Sequence, residues 1–267
     1  MPQPFGQLPS SVASLARTVR LASGQVPALL VHPHLGADGR VTRPAPVLLW
    51  MHGRTVNKEL DPGRYLRLAR AGIASCAVDL PGHGERLDPR LQDPARTLEV
   101  VERMAAEIDA VVDDLDAGGE HLGCPMAVGG MSAGGMATMV RLCRPHRFAA
   151  ALVECSIGSW RWQRDRAMFD PVRVAAMDPM EHLATWRTIP FLALHNEFDE
   201  WVPATGQREF VAALEARAEA PGLVRMHVYG PTGAPNEHAG FGRFASDAKD
   251  RGTAFLQEFL HPDGRTA

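Results

Sequence analysis

The chain has 267 residues, with 28 Lys+Arg against 31 Asp+Glu and a formal net charge of -3, so it lacks the clustered basic excess of a nucleic-acid binder. Hydrophobic residues make up 45% and charged residues 22%, close to globular averages, which excludes intrinsic disorder and supplies enough apolar side chain for a sizeable core. The 25 glycines and 21 prolines stay below the share typical of low-complexity chains and imply many turns between short elements.

Two short β-like runs come first, at 18–21 and 26–31, joined by Ala22-Ser23-Gly24-Gln25 as a hairpin turn. The run PVLLWM at 46–51 is continuously apolar and reads as a strand covered on both faces. A helix is expected at 61–71 with Leu66 and Leu68 inward, stopped by Gly72, then a strand at 73–78 and a long helix at 95–115. The alternation continues with a strand at 126–128, a helix at 133–143 and a strand at 149–153. A strand at 190–194, a helix at 205–218, a strand at 224–229 and a final helix at 244–260 complete it. Strands alternating with helices of this length predict right-handed βαβ units, and so an α/β fold with a mostly parallel sheet flanked by helices on both faces. No internal repeat or Gly/Ser-rich linker divides the chain, so one domain spanning 1–267 is expected.

One stretch breaks the alternation. The residues between Val153 and Pro190 are too many for an ordinary connection and hold three of the five tryptophans, Trp160, Trp162 and Trp186, with Met168, Phe169, Met177 and Met180. This composition predicts a short helical cap inserted at about 156–188, with Trp160, Trp162, Met168 and Phe169 as candidate substrate contacts, the alternative being that these residues simply pack a long crossover.

The chemistry centres on Gly130-Met131-Ser132-Ala133-Gly134, a G-x-S-x-G motif lying between a strand and an apolar helix. Glycines there permit the sharp turn that exposes Ser132, and the helix N-terminus favours negative charge developing nearby. A serine hydroxyl needs a base, and the base needs a carboxylate to orient it. Asp199 follows 67 residues later, just beyond the strand PFLAL, and His238 follows 39 residues after that, beyond the strand at 224–229. All three would meet at the carboxyl ends of the strands, where open α/β sheets bind ligands. Glu197 and Glu200 are rivals to Asp199 within the same loop.

With these residues the chain resembles the α/β-hydrolase family from about residue 18 to 260. Leu48-Leu49-Trp50-Met51-His52-Gly53-Arg54 is similar to its oxyanion loop, and Asp79-Leu80-Pro81-Gly82-His83-Gly84 to its D-x-P-G-H-G segment. The register of Asp199 to Val202-Pro203 is similar to the family's acid loop and selects Asp199 over its rivals. Within the family the chain resembles small bacterial carboxylesterases related to dienelactone hydrolases and to prolyl-oligopeptidase catalytic domains. The resemblance implies an oxyanion hole from the backbone amides of Arg54 and Ala133. It also implies that His52 and His83 order backbone rather than catalyse. Arg54-Thr55 replaces the further glycines of the H-G-G-G form, which puts an arginine side chain near the acyl pocket, where it would narrow the pocket or greet an acidic substrate.

The expected activity is a serine esterase acting on small to medium carboxylic esters, without cofactor or metal. Thioesterase, peptidase and acyltransferase activity would use the same three residues, and a noncatalytic small-molecule sensor on the hydrolase fold is the alternative of a different class. His32-x-His34 has no third ligand nearby in sequence, and Cys76, Cys124, Cys143 and Cys155 lack C-x-x-C spacing, so they read as reduced small hydrophobes. No apolar run reaches the roughly 18 residues of a membrane span and no signal-peptide pattern opens the chain, so a cytoplasmic protein without membrane partners is expected.

Overall fold

The structure, a computed structural model, describes residues 8–261. Its centre is an eight-stranded sheet: β1 (Ala16–Leu21), β2 (Val26–Val31), β3 (Val47–Met51), β4 (Ala74–Val78), β5 (Met126–Met131), β6 (Ala150–Glu154), β7 (Phe191–Asn196) and β8 (Val224–Tyr229). Their spatial order is β1-β2-β4-β3-β5-β6-β7-β8. The β1–β2 hairpin joins β4 in antiparallel fashion, and every pairing from β4 through β8 is parallel. The mostly parallel α/β sheet expected from the alternation is thus present, in the arrangement that the resemblance implied.

The helices are α1 (Ser10–Ala13), α2 (Pro62–Arg70), α3 (Thr97–Ala117), α4 (Ala133–Leu142), α5 (Pro171–Met177), α6 (Ala204–Glu215) and α7 (Ala245–Leu260). Alternate residues of β3 serve two cores. Val47, Leu49 and Met51 pack in the cluster that includes buried residues of α3, α4 and α6, while Leu48 and Trp50 pack in the one that includes those of α1, α2 and α7. A strand buried on both faces must be apolar throughout, which is why VLLWM reads as an unbroken run.

Helix α2 starts where Asp61 caps the backbone N–H of Arg64 and Pro62 occupies the first turn. It buries Tyr65, Leu68 and Ala69, an i, i+3, i+4 face, whereas Leu66, expected inward, is only partly buried. Three short 3₁₀ turns between Gly84 and Arg96 precede α3 and delay its start by two residues from the expected position.

The inserted segment departs most from expectation. Its only α-helix is α5, seven residues long, flanked by 3₁₀ turns at Trp160–Gln163 and Pro179–Thr185. Trp160 and Trp186 do not form a lid surface. Both are buried in the core beneath the segment, and Trp186 packs edge-on against Phe191 of β7 and Phe210 of α6, with ring centroids 6.1 and 5.3 Å away. Among the described residues no helix is long and apolar enough to cross a membrane.

Candidate active site

Ser132 sits between β5 and α4 with φ 52° and ψ −118°, a conformation that costs a non-glycine residue about 1–3 kcal/mol. The turn is possible because its glycines touch other backbone. A Cβ at Gly134 would lie 2.2 Å from the Met51 carbonyl oxygen, and one at Gly130 would lie 2.6 Å from the same atom. Two bonds hold the strained residue in place: its N–H donates to the Glu154 carbonyl at 2.9 Å, and Ser156 Oγ donates to its carbonyl at 3.0 Å.

The three residues separated in sequence come together as one hydrogen-bonded chain. His238 Nε2 is 2.9 Å from Ser132 Oγ, and His238 Nδ1 is 2.7 Å from Asp199 Oδ2. Asp199 Oδ1 accepts the backbone N–H groups of Trp201 and Val202 at 2.9 and 2.7 Å, which fixes the carboxylate. An ionised carboxylate only accepts, so Nδ1 carries the imidazole proton and Nε2 is left as the acceptor facing Ser132. Asn196, at the end of β7, donates to the Gly240 carbonyl at 2.9 Å and ties down the loop that carries His238. The rival carboxylates lie elsewhere: Glu197 pairs with Arg208, whose hydrogen bond holds it below its usual range, and Glu200 is exposed.

On the other side of Ser132 the loop after β3 approaches closely, and a Cβ at Gly53 would lie 3.5 Å from Ser132 Cβ. The backbone N–H groups of Arg54 and Ala133 donate to no protein acceptor among the described residues. His52 orders this loop: Nδ1 donates to the Gly53 carbonyl at 2.6 Å and Nε2 accepts the Leu80 N–H at 3.1 Å. The Arg54 side chain reaches across to the Gln92 carbonyl and lines the cavity, and burial lowers its pKa.

The D-x-P-G-H-G segment packs behind the loop. Asp79, fully buried, receives Lys58 N at 3.0 Å, Lys58 Nζ at 3.0 Å and Glu85 N at 3.0 Å. Burial alone would raise the Asp79 carboxyl, but the backbone N–H groups of Glu85 and Lys58 and the Lys58 ammonium hold it down at about 2. His83 bonds the Pro81 carbonyl through Nδ1 at 2.9 Å, out of line with the serine chain.

His83 and His32 are both buried, and burial pushes each down to about 4. An unfolded histidine takes its proton near pH 6.5, so between pH 6.5 and about 4 the unfolded chain binds more protons. Stability is therefore complete above about 6.5 and is lost as pH falls toward 4. Urea unfolding at about pH 5 is expected to give about 1–2 kcal/mol less stability per histidine than at about pH 7.5, solvent screening included. An unchanged urea midpoint would contradict this.

The cavity around Ser132 and His238 has a volume of about 840 Å³. Of the four expected substrate contacts, only Met168 lines it. Trp160 is core, and Phe169 lies outside the cavity wall. Trp162 points instead to α6, where its Nε1 donates to Glu209 at 2.7 Å. The aromatics that do line the cavity are Phe241 and Trp201, the latter with its ring centroid 5.0 Å from that of His238. Sequence reasoning missed Trp201, although it lies two residues past Asp199 and so had to be near the histidine. Also missed were Gln163, Arg64, Glu154 and Lys249, all in the cavity wall. His32, His34 and His121 have neighbouring rings, but no group of His, Cys, Asp or Glu among the described residues is arranged to hold a metal ion.

A mostly parallel sheet with a partly accessible serine on a strand-to-helix turn, and acid and histidine following in that order on the loops after later strands, defines the α/β-hydrolase class. The chain belongs to the alpha/beta hydrolase family, whose sequence profile matches residues 13–260. No curated protein sequence matches it significantly. Among solved structures it is similar to TT1662 from Thermus thermophilus, with 23% identity, TM-score 0.71, and coverage of 92% of this chain and 98% of that one. It is similar to a cold-adapted esterase from an Arctic intertidal metagenomic library, with 22% identity, TM-score 0.62, and coverage of 92% and 93%. It is also similar to a Mycobacterium tuberculosis puromycin-hydrolyzing peptidase, with 20% identity, TM-score 0.72, and coverage of 96% of this chain but only 41% of the peptidase.

Proposed function

We propose that this protein is a serine hydrolase that cleaves carboxylic esters of small to medium size through an acyl-enzyme. The observation that carries the proposal is the unbroken Asp199–His238–Ser132 hydrogen-bonded chain opening on the cavity. Ser132 Oγ attacks the ester carbonyl while its proton passes to His238 Nε2, and Asp199 holds the imidazole and stabilises the imidazolium that forms. The tetrahedral oxyanion is received by the N–H groups of Arg54 and Ala133, donors of a kind worth roughly 3–4 kcal/mol each in other hydrolases. The imidazolium then protonates the leaving alcohol, and the same histidine activates the water that releases the acid. Thioester and amide cleavage and acyl transfer run through the same acyl-enzyme.

Hydrolysis of p-nitrophenyl esters from acetate to octanoate by the wild type is the direct test, with Ser132→Ala run alongside. Turnover that depends on Ser132 and peaks at one chain length is expected, the peak measuring the cavity. Full activity in Ser132→Ala would refute the proposal.

The inserted segment sets one wall of that cavity through Met168 and Gln163. Glu209 on α6 anchors it, accepting from Ser159 Oγ at 2.8 Å, Arg161 Nε at 3.1 Å and Trp162 Nε1 at 2.7 Å. Glu209→Ala is expected to raise KM several-fold with kcat little changed, and to lower Tm by about 3 °C, the effect of losing about 1 kcal/mol of partly exposed bonds. An unchanged KM would show that the anchored segment does not shape the site.

A further inference from the structure

Arg54 stands directly beside the proposed chemistry. A Cβ on the preceding Gly53 would lie 3.5 Å from Ser132 Cβ, and the Arg54 side chain lines the cavity in a half-buried position. Its guanidinium makes no ion pair among the described residues. Nη2 donates to the Gln92 carbonyl, Nε is sealed without a partner, and Nη1 meets no protein acceptor and stays open to solvent.

The lining around this side chain is neutral, with Thr55 and Val56 on its own loop and Gln92, Pro94 and Thr97 on the segment it reaches. Asp93, within that segment, is exposed, accepts the Ala95 N–H at 2.9 Å and does not line the cavity. The other charges in the wall answer one another. Asp61 accepts Arg64 Nε at 3.0 Å and faces the Lys249 ammonium at 3.5 Å, and Glu154 accepts Arg64 Nη2 at 2.7 Å. Burial pushes the Glu154 carboxyl up, toward its neutral form. Asp165 and Arg166 are neighbours at the exposed lip, where Arg166 Nη1 donates to the Glu200 carbonyl at 3.3 Å. Arg54 is left as the cation of this wall without an answering carboxylate.

A side chain that only tethered the loop to Gln92 would need one N–H and no charge. Drawing a cation partly out of water is unfavourable, and here no ion pair offsets it. A carboxylate entering the cavity supplies the missing counter-charge and accepts from the guanidinium in a charge-assisted bond. Under the proposed mechanism His238 faces the leaving alcohol, whose oxygen it protonates, and Arg54 lies on the other side of Ser132, so the charge belongs on the acyl part.

We propose that Arg54 reads a carboxylate on the acyl part of the substrate, so that the preferred substrates are half-esters of short dicarboxylic acids, an inference that rests on the hydrolase function proposed above. The Arg54 N–H receives the ester oxygen in that mechanism, so the guanidinium reaches an anion one side-chain length away. A free carboxylate about two or three carbons from the ester carbonyl spans that length.

Isosteric pairs of esters test this at about pH 7. Monoethyl succinate against ethyl 4-methylpentanoate and monoethyl glutarate against ethyl 5-methylhexanoate place the charge on the acyl side, and 3-acetoxypropanoate against 3-methylbutyl acetate places it on the alcohol side. The wild type is expected to favour the charged member of at least one acyl pair in kcat/KM by about tenfold, the size of one charge-assisted hydrogen bond. In Arg54→Gln the ratio within that pair should fall toward one. Both esters are measured on the same protein, so the ratio is independent of how much of it is folded and of any general loss of turnover. A measurement needing no variant runs alongside: succinamate should inhibit wild-type hydrolysis of the neutral ester more strongly than succinamide does.

Equal or slower hydrolysis of the charged member in both acyl pairs would overturn the inference. So would a preference confined to the alcohol pair, a ratio that survives Arg54→Gln, or equal inhibition by succinamate and succinamide. Absence of Ser132-dependent hydrolysis for every ester would overturn the hydrolase proposal and this inference together, whereas hydrolysis of the neutral members without preference removes the inference alone.

Discussion

Asp199→Asn is expected to lower kcat for ester hydrolysis by about three to four orders of magnitude while KM changes little, the size of effect seen when the triad acid is amidated in other serine hydrolases. The structure supplies the reason. Asp199 Oδ1 is held by the N–H groups of Trp201 and Val202, so an asparagine would keep its carbonyl oxygen there and turn its NH₂ toward His238 Nδ1. Nδ1 would then have to accept, the proton would move to Nε2, and the imidazole would meet Ser132 as a donor instead of a base. Steady-state kinetics on the best p-nitrophenyl ester measures the effect. A loss below tenfold, or a larger loss in Glu197→Gln, would take the acid role away from Asp199.

Lys58→Met should destabilise the fold by about 3–5 kcal/mol, the cost of leaving a buried charge without its partner. Lys58 is 1% exposed, and its ammonium contacts Asp79 Oδ2 at 3.0 Å, Glu85 Oε1 at 2.6 Å and Glu59 Oε1 at 3.1 Å. With the ammonium gone, Asp79 keeps backbone donors but no counter-charge in a site closed to water. Urea unfolding reads the loss directly, and Tm should fall by roughly 10 °C. Removing the stranded charge as well, in the Lys58→Met Asp79→Asn double variant, is expected to recover part of the stability, as coupling between touching partners requires. A single-variant loss below about 1 kcal/mol would show that the pair is not structurally important.

Signals carried by neighbouring residues were legible in the sequence. The continuous run of β3, the turn Ala22-Ser23-Gly24-Gln25 between β1 and β2, and the strand, elbow and helix around Ser132 each declare themselves within a dozen residues, and the structure has all three. Element ends moved by one to three residues where a hydrogen bond at the terminus, invisible in the sequence, decides the boundary. Features made by residues far apart in the chain were not legible. Lys58 meets Asp79 across 21 residues and Arg64 meets Glu154 across 90, and no local pattern announces either pair. The same reason explains the tryptophans of the inserted segment. Aromatic residues outside the strand pattern read as a lid, but Trp186 finds Phe191 and Phe210, and Trp160 finds Asp178 and the Ile157 carbonyl, so both enter the core. Of the segment's aromatic and thioether side chains, only Met168 reaches the cavity, whose aromatic lining comes from Trp201 and Phe241.

The edge position of β8 bears on how the site comes into being during synthesis. Ser132 and its elbow belong to the middle of the sheet, but His238 follows β8, which pairs with β7 alone and closes the row of strands. A ribosome releases Ser132 more than a hundred residues before His238, the base in the proposed mechanism. Under the proposed mechanism, a growing chain therefore holds the Ser132 hydroxyl without its base until the eighth strand docks. The same order makes catalysis a reporter of one seam. Any fraying of the last strand and α7 would silence the serine while most of the sheet stayed intact, so activity should vanish ahead of the bulk of secondary structure as denaturant rises.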